Sequence, residues 1–269
     1  MIKNQRLVLV SVVSAVLLGS LFVAFSGKGQ SNRNAPTIDQ APFGQTAKEL
    51  DDAASPIVDF DSPGAVDRIE KNARKLKSAR YDRYGAVQSH PHPHAGEVIV
   101  WSEWQAGLLD LPADRSDVVV EGIVADSKAF LSEDKTGVYS EFTLGVARVL
   151  KVAPGFSVNL GDMIMIERFG GRVRYPSGQV IRCRIEGQGV PIVGRRYLFF
   201  LSRADQDSYK LLTAYEIQGQ KVYALDGSRI NSRGKGDWKF DQHNGEDLDS
   251  FMGKVGRAVN GSQGGGNQP

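Results

Sequence analysis

The sequence predicts an all-β fold, a small closed or partly open antiparallel barrel, preceded by a transmembrane or signal helix and accompanied by a peripheral helix. Three observations predict it. Residues 118–201 contain several short runs that are apolar or alternate apolar with polar residues. Turn sequences separate these runs at intervals of roughly ten residues, and glycines lie inside some of the runs. Closure of such a sheet removes the exposed edges that apolar strands otherwise present.

The first two strands are predicted to form an antiparallel hairpin. Residues 118–125 are rich in β-branched side chains and contain Gly122, at which a barrel strand bends or bulges. Residues 139–151 alternate apolar and polar side chains, which is the period of a half-buried strand. Residues 132–137 between them are polar and end in glycine, as hairpin loops do.

The third strand covers residues 163–169 and stops at Gly170 and Gly171. A pair of glycines accepts positive φ without a steric penalty. We therefore expect residues 172–175 to return as the hairpin partner of the third strand.

Two further strands differ in the environment that their side chains predict. Residues 179–186 follow a Pro-Ser-Gly turn and place Ile181, Cys183 and Ile185 on one apolar face, with charged residues on the other. Residues 195–201 end in a continuous apolar run, which indicates a strand buried on both faces.

The chain after this strand is predicted to add a hairpin and a helix. Residues 209–212 and 221–225 are separated by Gln-Gly-Gln and form the hairpin. Apolar residues recur at helical spacing within 245–259, which predicts a short closing helix.

Three of these segments, residues 141–151, 161–166 and 191–201, resemble the OB-fold barrel of netrin-like domains, the group that includes the tissue inhibitors of metalloproteinases. They also resemble uncharacterised exported bacterial β-domains. The resemblance lies in the strand pattern and implies an OB-like barrel with a generic binding role. Those inhibitors are rich in disulfides and use an amino-terminal cysteine to reach a metal, whereas this chain contains only Cys183. Inhibitory function is therefore not implied.

The composition excludes some classes of partner. The net charge is +2, from 33 basic and 31 acidic residues, so no global field favours nucleic acid, and we expect no nucleic-acid partner. The single cysteine excludes an intramolecular disulfide framework. Because Cys183 lies on the apolar face of a predicted strand, it is expected to be a buried, unreactive thiol.

Residues 7–25 are apolar or weakly polar and carry no charge. As a helix this segment reaches about 28 Å, close to the thickness of a bilayer core. Lys3 and Arg6 precede it, which places the amino terminus in the cytoplasm and the remainder outside. We expect an uncleaved anchor; the alternative is a signal peptide cleaved after the small-x-small sequence at 24–26, giving a secreted protein. Either way the protein is extracytoplasmic, in the periplasm or at the cell surface.

The predicted organisation has five parts: a membrane anchor or signal peptide (1–26), a flexible linker (27–61), a basic helix with a His/Pro loop (62–96), the β-barrel domain (97–225) and a C-terminal extension with a flexible tail (226–269).

The basic helix is predicted to start at Ser62 and Pro63, as cap and first helical residue. Val66, Ile69 and Leu76 give it a narrow apolar stripe, and basic residues cover the rest. We expect the stripe to pack on the barrel. Contact of the basic side with an anionic membrane or an acidic partner stays open as the alternative.

His90, His92 and His94 alternate with prolines and account for three of the four histidines. In extended backbone these side chains lie on one face, where their imidazoles would bind a zinc or copper ion. Glu97 is the evident fourth ligand. The alternative is an exposed proline-rich loop, and a cofactor is not otherwise expected.

Trp101 and Trp104 follow the strand that starts at Glu97. Tryptophans at the entrance of a barrel stack on sugars or peptides, so both are candidate ligand-binding residues. The alternative is that they close the bottom of a core.

The sequence contains no serine nucleophile elbow, phosphate-binding glycine loop, His-Glu-x-x-His or Cys-x-x-Cys motif. We therefore expect a non-enzymatic, membrane-anchored binding module that contacts an unknown protein or glycan outside the cytoplasm. A periplasmic or surface metal-binding protein that uses the His-Pro-His-Pro-His segment is the alternative, and a purely structural envelope protein is a third.

Overall fold

The computed structural model describes residues 55–62, 68–82, 96–100, 102–227 and 239–263. In the helix that starts at Arg68, the side chains of residues 68–71 and 73 are not described. The strands in these ranges are β1 (Ile57–Asp59), β2 (Glu97–Val100), β3 (Val118–Leu131), β4 (Val138–Val152), β5 (Met163–Phe169), β6 (Gly171–Arg174), β7 (Val180–Ile185), β8 (Arg196–Arg203), β9 (Ser208–Gln218), β10 (Lys221–Ala224) and β11 (Glu246–Asp247). The α-helices are α1 (Arg68–Ser78) and α2 (Leu248–Gln263), and short 3₁₀ helices cover Ala79–Tyr81 and Lys239–His243. The prediction of a mainly β, antiparallel fold is confirmed.

The larger sheet has seven strands in the order β11-β10-β9-β5-β4-β3-β8. Strand β8 also pairs with β9, so that β3, β4, β5, β9 and β8 form a ring of pairings. Within the ring only β5 and β9 run parallel. Because β10 and β11 extend the sheet beyond the ring, the architecture is not a clean barrel.

The hairpin of β3 and β4 is the longest element and forms as the sequence predicts. Its strands pair antiparallel and its turn lies between Leu131 and Val138. The pairing register shifts between Glu121 and Gly122, where a bend was expected. A Cβ at Gly122 would lie 2.6 Å from the carbonyl oxygen of Gly145, so only glycine allows the two strands to approach this closely.

The prediction that residues 172–175 return as the partner of β5 is wrong. Strand β6 instead joins a second sheet of order β1-β6-β7-β2, in which it pairs parallel with β1 and antiparallel with β7. Gly170 and Gly171 have φ of 116° and 145°, and this backbone carries the chain from one sheet into the other. Strand β1 lies within residues 27–61, so the predicted linker ends earlier than expected.

Strand β8 is buried on both faces and contributes side chains to two apolar clusters. Every residue from Tyr197 to Leu201 is fully buried, as the apolar run predicts. Tyr197, Phe199 and Leu201 belong to one apolar cluster with the inward side chains of the ring. Leu198 and Phe200 belong to a second cluster, which includes the apolar side of α2.

The predicted closing helix is present as α2, which begins at Leu248 and continues to Gln263. Phe251, Val255 and Val259 are buried against the second cluster. The helix therefore completes the core.

Helix α1 is present, but its expected packing is wrong at Leu76. That side chain is 76% exposed. Arg74 and Lys77 face the larger sheet instead, because two buried carboxylates there attract them.

No helix in the described ranges is long and apolar enough to cross a membrane. The predicted anchor at residues 7–25 lies outside those ranges.

Candidate functional site

A cleft of about 450 Å³ lies beside the ring, where β5, β8 and β9 meet the 3₁₀ turn after α1 and the segment before β3. Small-molecule sites usually measure ~300–1,000 Å³. Its apolar wall is formed by Trp104, Leu108, Phe169, Ile185, Leu211 and Leu212. Its polar side chains include Arg80, Tyr81, Glu167, Arg168, Gln188, Arg203 and Lys210.

Trp104 forms part of the cleft wall and is fixed by its neighbours. Its indole Nε1 donates a hydrogen bond to the carbonyl oxygen of Glu186 at 3.0 Å. The indole stacks on Phe240, with ring centroids 5.7 Å apart and planes 11° apart. The guanidinium carbon of Arg168 lies 5.8 Å from the indole centroid. Trp104 therefore both lines the cleft and packs on the core, whereas Trp101 lies outside the described residues.

The floor of the cleft contains a buried ion pair. Arg168 donates from Nη1 to Asp226 Oδ1 at 2.6 Å and from Nη2 to Asp226 Oδ2 at 2.8 Å. It also donates to the carbonyl oxygens of Gly189 and Leu212. Such a bidentate pair fixes the guanidinium plane and neutralises both charges.

Within the part of the chain that the structure describes, two buried polar atoms of cleft residues have no hydrogen-bond partner, namely Arg168 Nε and Gln188 Oε1. In folded proteins, most buried polar atoms have at least one hydrogen-bond partner. The floor thus retains a donor and an acceptor that no group in the described residues uses.

Glu167 on β5 is almost completely buried, and residues at the end of α1 and just after it cover its side chain. Its carboxylate accepts hydrogen bonds from Arg80 at 2.8 Å, from the Tyr81 hydroxyl at 3.0 Å and from the Ser208 hydroxyl at 3.3 Å. Burial raises the pKa of Glu167 although Arg80 opposes that rise. Burial, together with the charge of Glu167, also raises the pKa of Tyr81 well above its usual value. Tyr81 therefore stays a hydrogen-bond donor to this carboxylate at neutral pH.

The mouth of the cleft carries two exposed cations, Arg203 and Lys210. Arg203 Nε donates to the carbonyl oxygen of Asp205 at 3.0 Å, and its guanidinium lies 5.1 Å from the Phe156 centroid. Among the described residues, neither cation forms an ion pair with a carboxylate. The mouth therefore presents positive charge that is free to attract an anion.

His243 is the centre of a second cluster of polar side chains, which sequence reasoning missed. Its Nε2 lies 2.8 Å from Asp110 Oδ2, and its Nδ1 lies 2.8 Å from Glu246 Oε2. Burial alone raises the pKa of Glu246, but hydrogen bonds from Lys254, His243 and Ser250 outweigh it and lower that pKa to about 2. Asp110 and His243 are 133 positions apart, so no local pattern signals the cluster. It joins the start of α2 to the segment before β3.

The predicted metal ligands His90, His92 and His94 lie outside the described residues. Glu97, the expected fourth ligand, accepts a hydrogen bond from Arg184 Nε at 2.6 Å and lies 3.7 Å from Arg182 Nη1. Across the ranges that the structure covers, no group of three His, Cys, Asp or Glu side chains is arranged to hold a metal ion. Cys183 is buried as expected, and burial raises the pKa of its thiol to about 12.

Comparison with known proteins gives no family assignment. No protein-family model matches the chain, and a search of curated proteins finds no similar sequence. Function is therefore inferred from the cleft and its surroundings.

Proposed function

We propose that this chain is an exported, membrane-anchored, non-enzymatic binding module that holds a protein segment or a glycan in the cleft beside Trp104. One observation carries the proposal: the cleft combines an indole and aliphatic wall with two exposed cations, Arg203 and Lys210, that have no carboxylate partner among the described residues. Binding sites typically combine an apolar lining with a few placed polar groups.

The strand pairings support the interpretation of the ring as an OB-like barrel. Following the chain, the five ring strands are β3, β4, β5, β8 and β9, and their order around the ring is β3-β4-β5-β9-β8. An OB barrel has five strands, and its ligands bind on the face of its second and third strands and in the adjoining loops. The cleft adjoins β5, which is third in this ring.

The charge of the cleft indicates the ligand. Asp226 neutralises Arg168, and Glu167 neutralises Arg80, so Arg203 and Lys210 carry the excess positive charge. A ligand with an acidic group fits this mouth, while a sugar face or an aromatic peptide side chain fits against Trp104. The ligand is thus an acidic glycan or an acidic peptide segment outside the cytoplasm.

The test uses the full-length protein in nanodiscs, screened against arrays of acidic and neutral glycans and peptides. Hits are titrated against the wild type, the double variant Arg203→Gln/Lys210→Gln and the control Lys221→Gln, an exposed lysine on β10. We expect the double variant to bind at least about tenfold more weakly and the control to match the wild type. Equal affinity of all three proteins for every hit would show that the cleft is not the binding site.

The metal-binding alternative through His90, His92 and His94 gains no support from the described residues. Arg184 and Arg182 surround the carboxylate of Glu97, which makes it a poor fourth ligand. We therefore do not propose it as a second function.

A further inference from the structure

Two carboxylates lie side by side on the outer surface of the ring. Glu141 on β4 and Glu167 on β5 are register partners across the antiparallel pair. Their side chains are only 6% and 1% exposed. Like charges in directly opposed positions of a sheet are destabilising, and burial adds to that cost. This surface, defined by Glu141 and Glu167 and called the acidic face here, therefore requires cations.

The end of α1 and the 3₁₀ helix that follows it supply three cations at a spacing of three residues. Arg74 lies 2.7 Å from Glu141, and Lys77 lies 3.1 Å from Glu141 and 3.9 Å from Glu167. Arg80 lies 2.8 Å from Glu167. The i, i+3, i+6 spacing places all three on one side of a helix that tightens to 3₁₀ at Ala79.

Within α1, the side chains of Arg74 and Lys77 make the contact with the sheet, whereas Tyr81, just after the helix, is buried in an apolar cluster. Leu76 is the large aliphatic side chain in the described part of α1, and it is 76% exposed rather than packed on the sheet. The aromatic contributions are Arg74 over Phe130, at 3.7 Å from the centroid, and Tyr81 stacked on Tyr139 at 4.5 Å. Interactions of partly exposed charges weaken as salt rises.

The helix also spans the two loops that border the acidic face. Lys75 lies 3.6 Å from Glu133 in the β3–β4 loop, and the backbone N–H of Asp134 donates to Asp82 at 2.9 Å. On the opposite side, Arg80 lies 3.1 Å from Asp205 in the β8–β9 loop. In the OB-like interpretation, these loops flank the face that such barrels use for ligands.

We infer that the acidic face is a docking surface for a basic helical segment and that the chain's own residues 68–82 occupy it. The partner that fits is a protein segment presenting three cations at the spacing of Arg74, Lys77 and Arg80. Charge complementarity selects this partner and disfavours nucleic acid and anionic lipid, because the face itself is negative. A partner segment binds only the fraction of molecules in which α1 has left, so α1 lowers its apparent affinity.

Displacement of α1 also affects the cleft. Arg80 and Tyr81 line the cleft as well as contacting Glu167, so the departure of α1 removes one wall. Because Glu167 belongs to both the acidic face and the cleft lining, the basic segment and the cleft ligand are expected to influence each other's binding.

The probe is a fluorescein-labelled peptide with the sequence of residues 66–82, and its control has the three cations replaced by glutamate. Both are titrated into full-length protein in nanodiscs. The free-face variant is Arg74→Gln/Lys77→Gln/Arg80→Gln, and the blocked variant adds Glu141→Gln and Glu167→Gln. We expect the basic peptide to bind the free-face variant at least about tenfold more tightly than the wild type. Raising NaCl from about 50 to about 500 mM should weaken that binding.

The acidic control peptide should not bind the free-face variant, and the basic peptide should not bind the blocked variant. Lys77→Gln alone removes one cation and keeps Arg74 and Arg80 in place, so it should give intermediate affinity even if the triple variant folds poorly. Equal affinity of the wild type and Lys77→Gln, or binding of both peptides alike, would overturn the inference. The readout here is binding of the basic peptide, whereas the cleft test measures an acidic ligand on variants of Arg203 and Lys210, so failure of one proposal is distinguishable from failure of the other.

Discussion

The two described α-helices both lie against β-strands, but different forces hold them. On α2, Phe251, Val255 and Val259 are buried in an apolar cluster. On α1, Arg74 and Lys77 pair with buried carboxylates while Leu76 is exposed to solvent. Apolar burial is insensitive to ionic strength at moderate salt, whereas ion pairs are screened. The comparison shows that α2 is part of the apolar core, whereas the described side chains of α1 that contact the sheet do so through ion pairs.

The largest expected difference is in the response to truncation of an apolar side chain. Phe251→Ala should lower the free energy of unfolding by about 3–5 kcal/mol, because it leaves a cavity in a filled cluster. Leu76→Ala should change it by less than about 0.5 kcal/mol, because the side chain is already exposed. Urea unfolding of both variants measures this. Similar losses for the two would contradict the comparison.

Removal of the acidic face should release α1 without unfolding the sheets. In the variant Glu141→Gln/Glu167→Gln, Arg74 and Lys77 lose their carboxylate partners on the sheet, while Arg80 keeps Asp205. Limited trypsin digestion should then cleave after Lys75 or Lys77 on the order of tenfold faster than in the wild type, because local opening exposes the backbone. The matched control is cleavage after Lys254 on α2, which should keep its wild-type rate. Equal acceleration at both helices would instead indicate global destabilisation.

The carboxylates next to the two helices, Glu246 near α2 and Glu167 near α1, are expected to respond differently to acid. Because the pKa of Glu246 is lowered to about 2 in the folded protein, its stabilising contribution is present above the unfolded value of about 4.3 and is lost as the pH falls towards 2. The melting temperature difference between the wild type and Glu246→Gln should therefore be largest near neutral pH and disappear near pH 2. A difference that stays constant over this range would contradict the assignment.

Glu167 should show the opposite sign. Burial raises its pKa, so its contribution to stability is present below its usual pKa and is lost as the pH rises through the raised value. Relative to the wild type, Glu167→Gln should therefore gain melting temperature as the pH rises from about 4 to 7. If the melting temperature of Glu167→Gln relative to the wild type instead falls as the pH rises, as expected for Glu246→Gln, the three hydrogen-bond donors to Glu167 outweigh burial in setting its pKa.

The smallest expected effect is that of metal. If residues 90–94 bind zinc, triple replacement of His90, His92 and His94 by alanine should abolish zinc retention and leave the melting of the β-sheets unchanged, because the two sheets have a filled apolar core of their own. Equilibrium dialysis with zinc and a melting curve measure both quantities. A large fall in melting temperature after chelation would show that metal supports the fold.

The local pattern of apolar and polar residues was sufficient to predict strands β4 and β8. The alternation in residues 139–151 and the apolar run in 195–201 predict β4 and β8, because burial on one or both faces is visible in a single segment. The two glycines after β5 were misinterpreted, because a hairpin and a change of sheet both require positive φ. Which of the two occurs depends on β1 and β7, which are remote in the chain.

The site was predictable only in part, since its partners are distant in sequence. Trp104 could be named from its aromatic character, and the structure places it in the cleft wall. The cations Arg203 and Lys210 carry no local signal, because only the assembled strands show that neither has a carboxylate partner within the described ranges. Likewise, the apolar stripe suggested how α1 packs, but Glu141 and Glu167 lie 67 and 87 positions from the arginines that they bind.

Hydrogen exchange of the full-length protein at low and high salt tests most directly whether α1 and α2 are held by different forces. The amides of residues 68–78 and 251–263 are followed by mass spectrometry at about 50 and about 500 mM NaCl. The account predicts that exchange in α1 becomes faster at high salt while exchange in α2 is unchanged. Salt-independent protection of α1, or an equal acceleration in both helices, would contradict it.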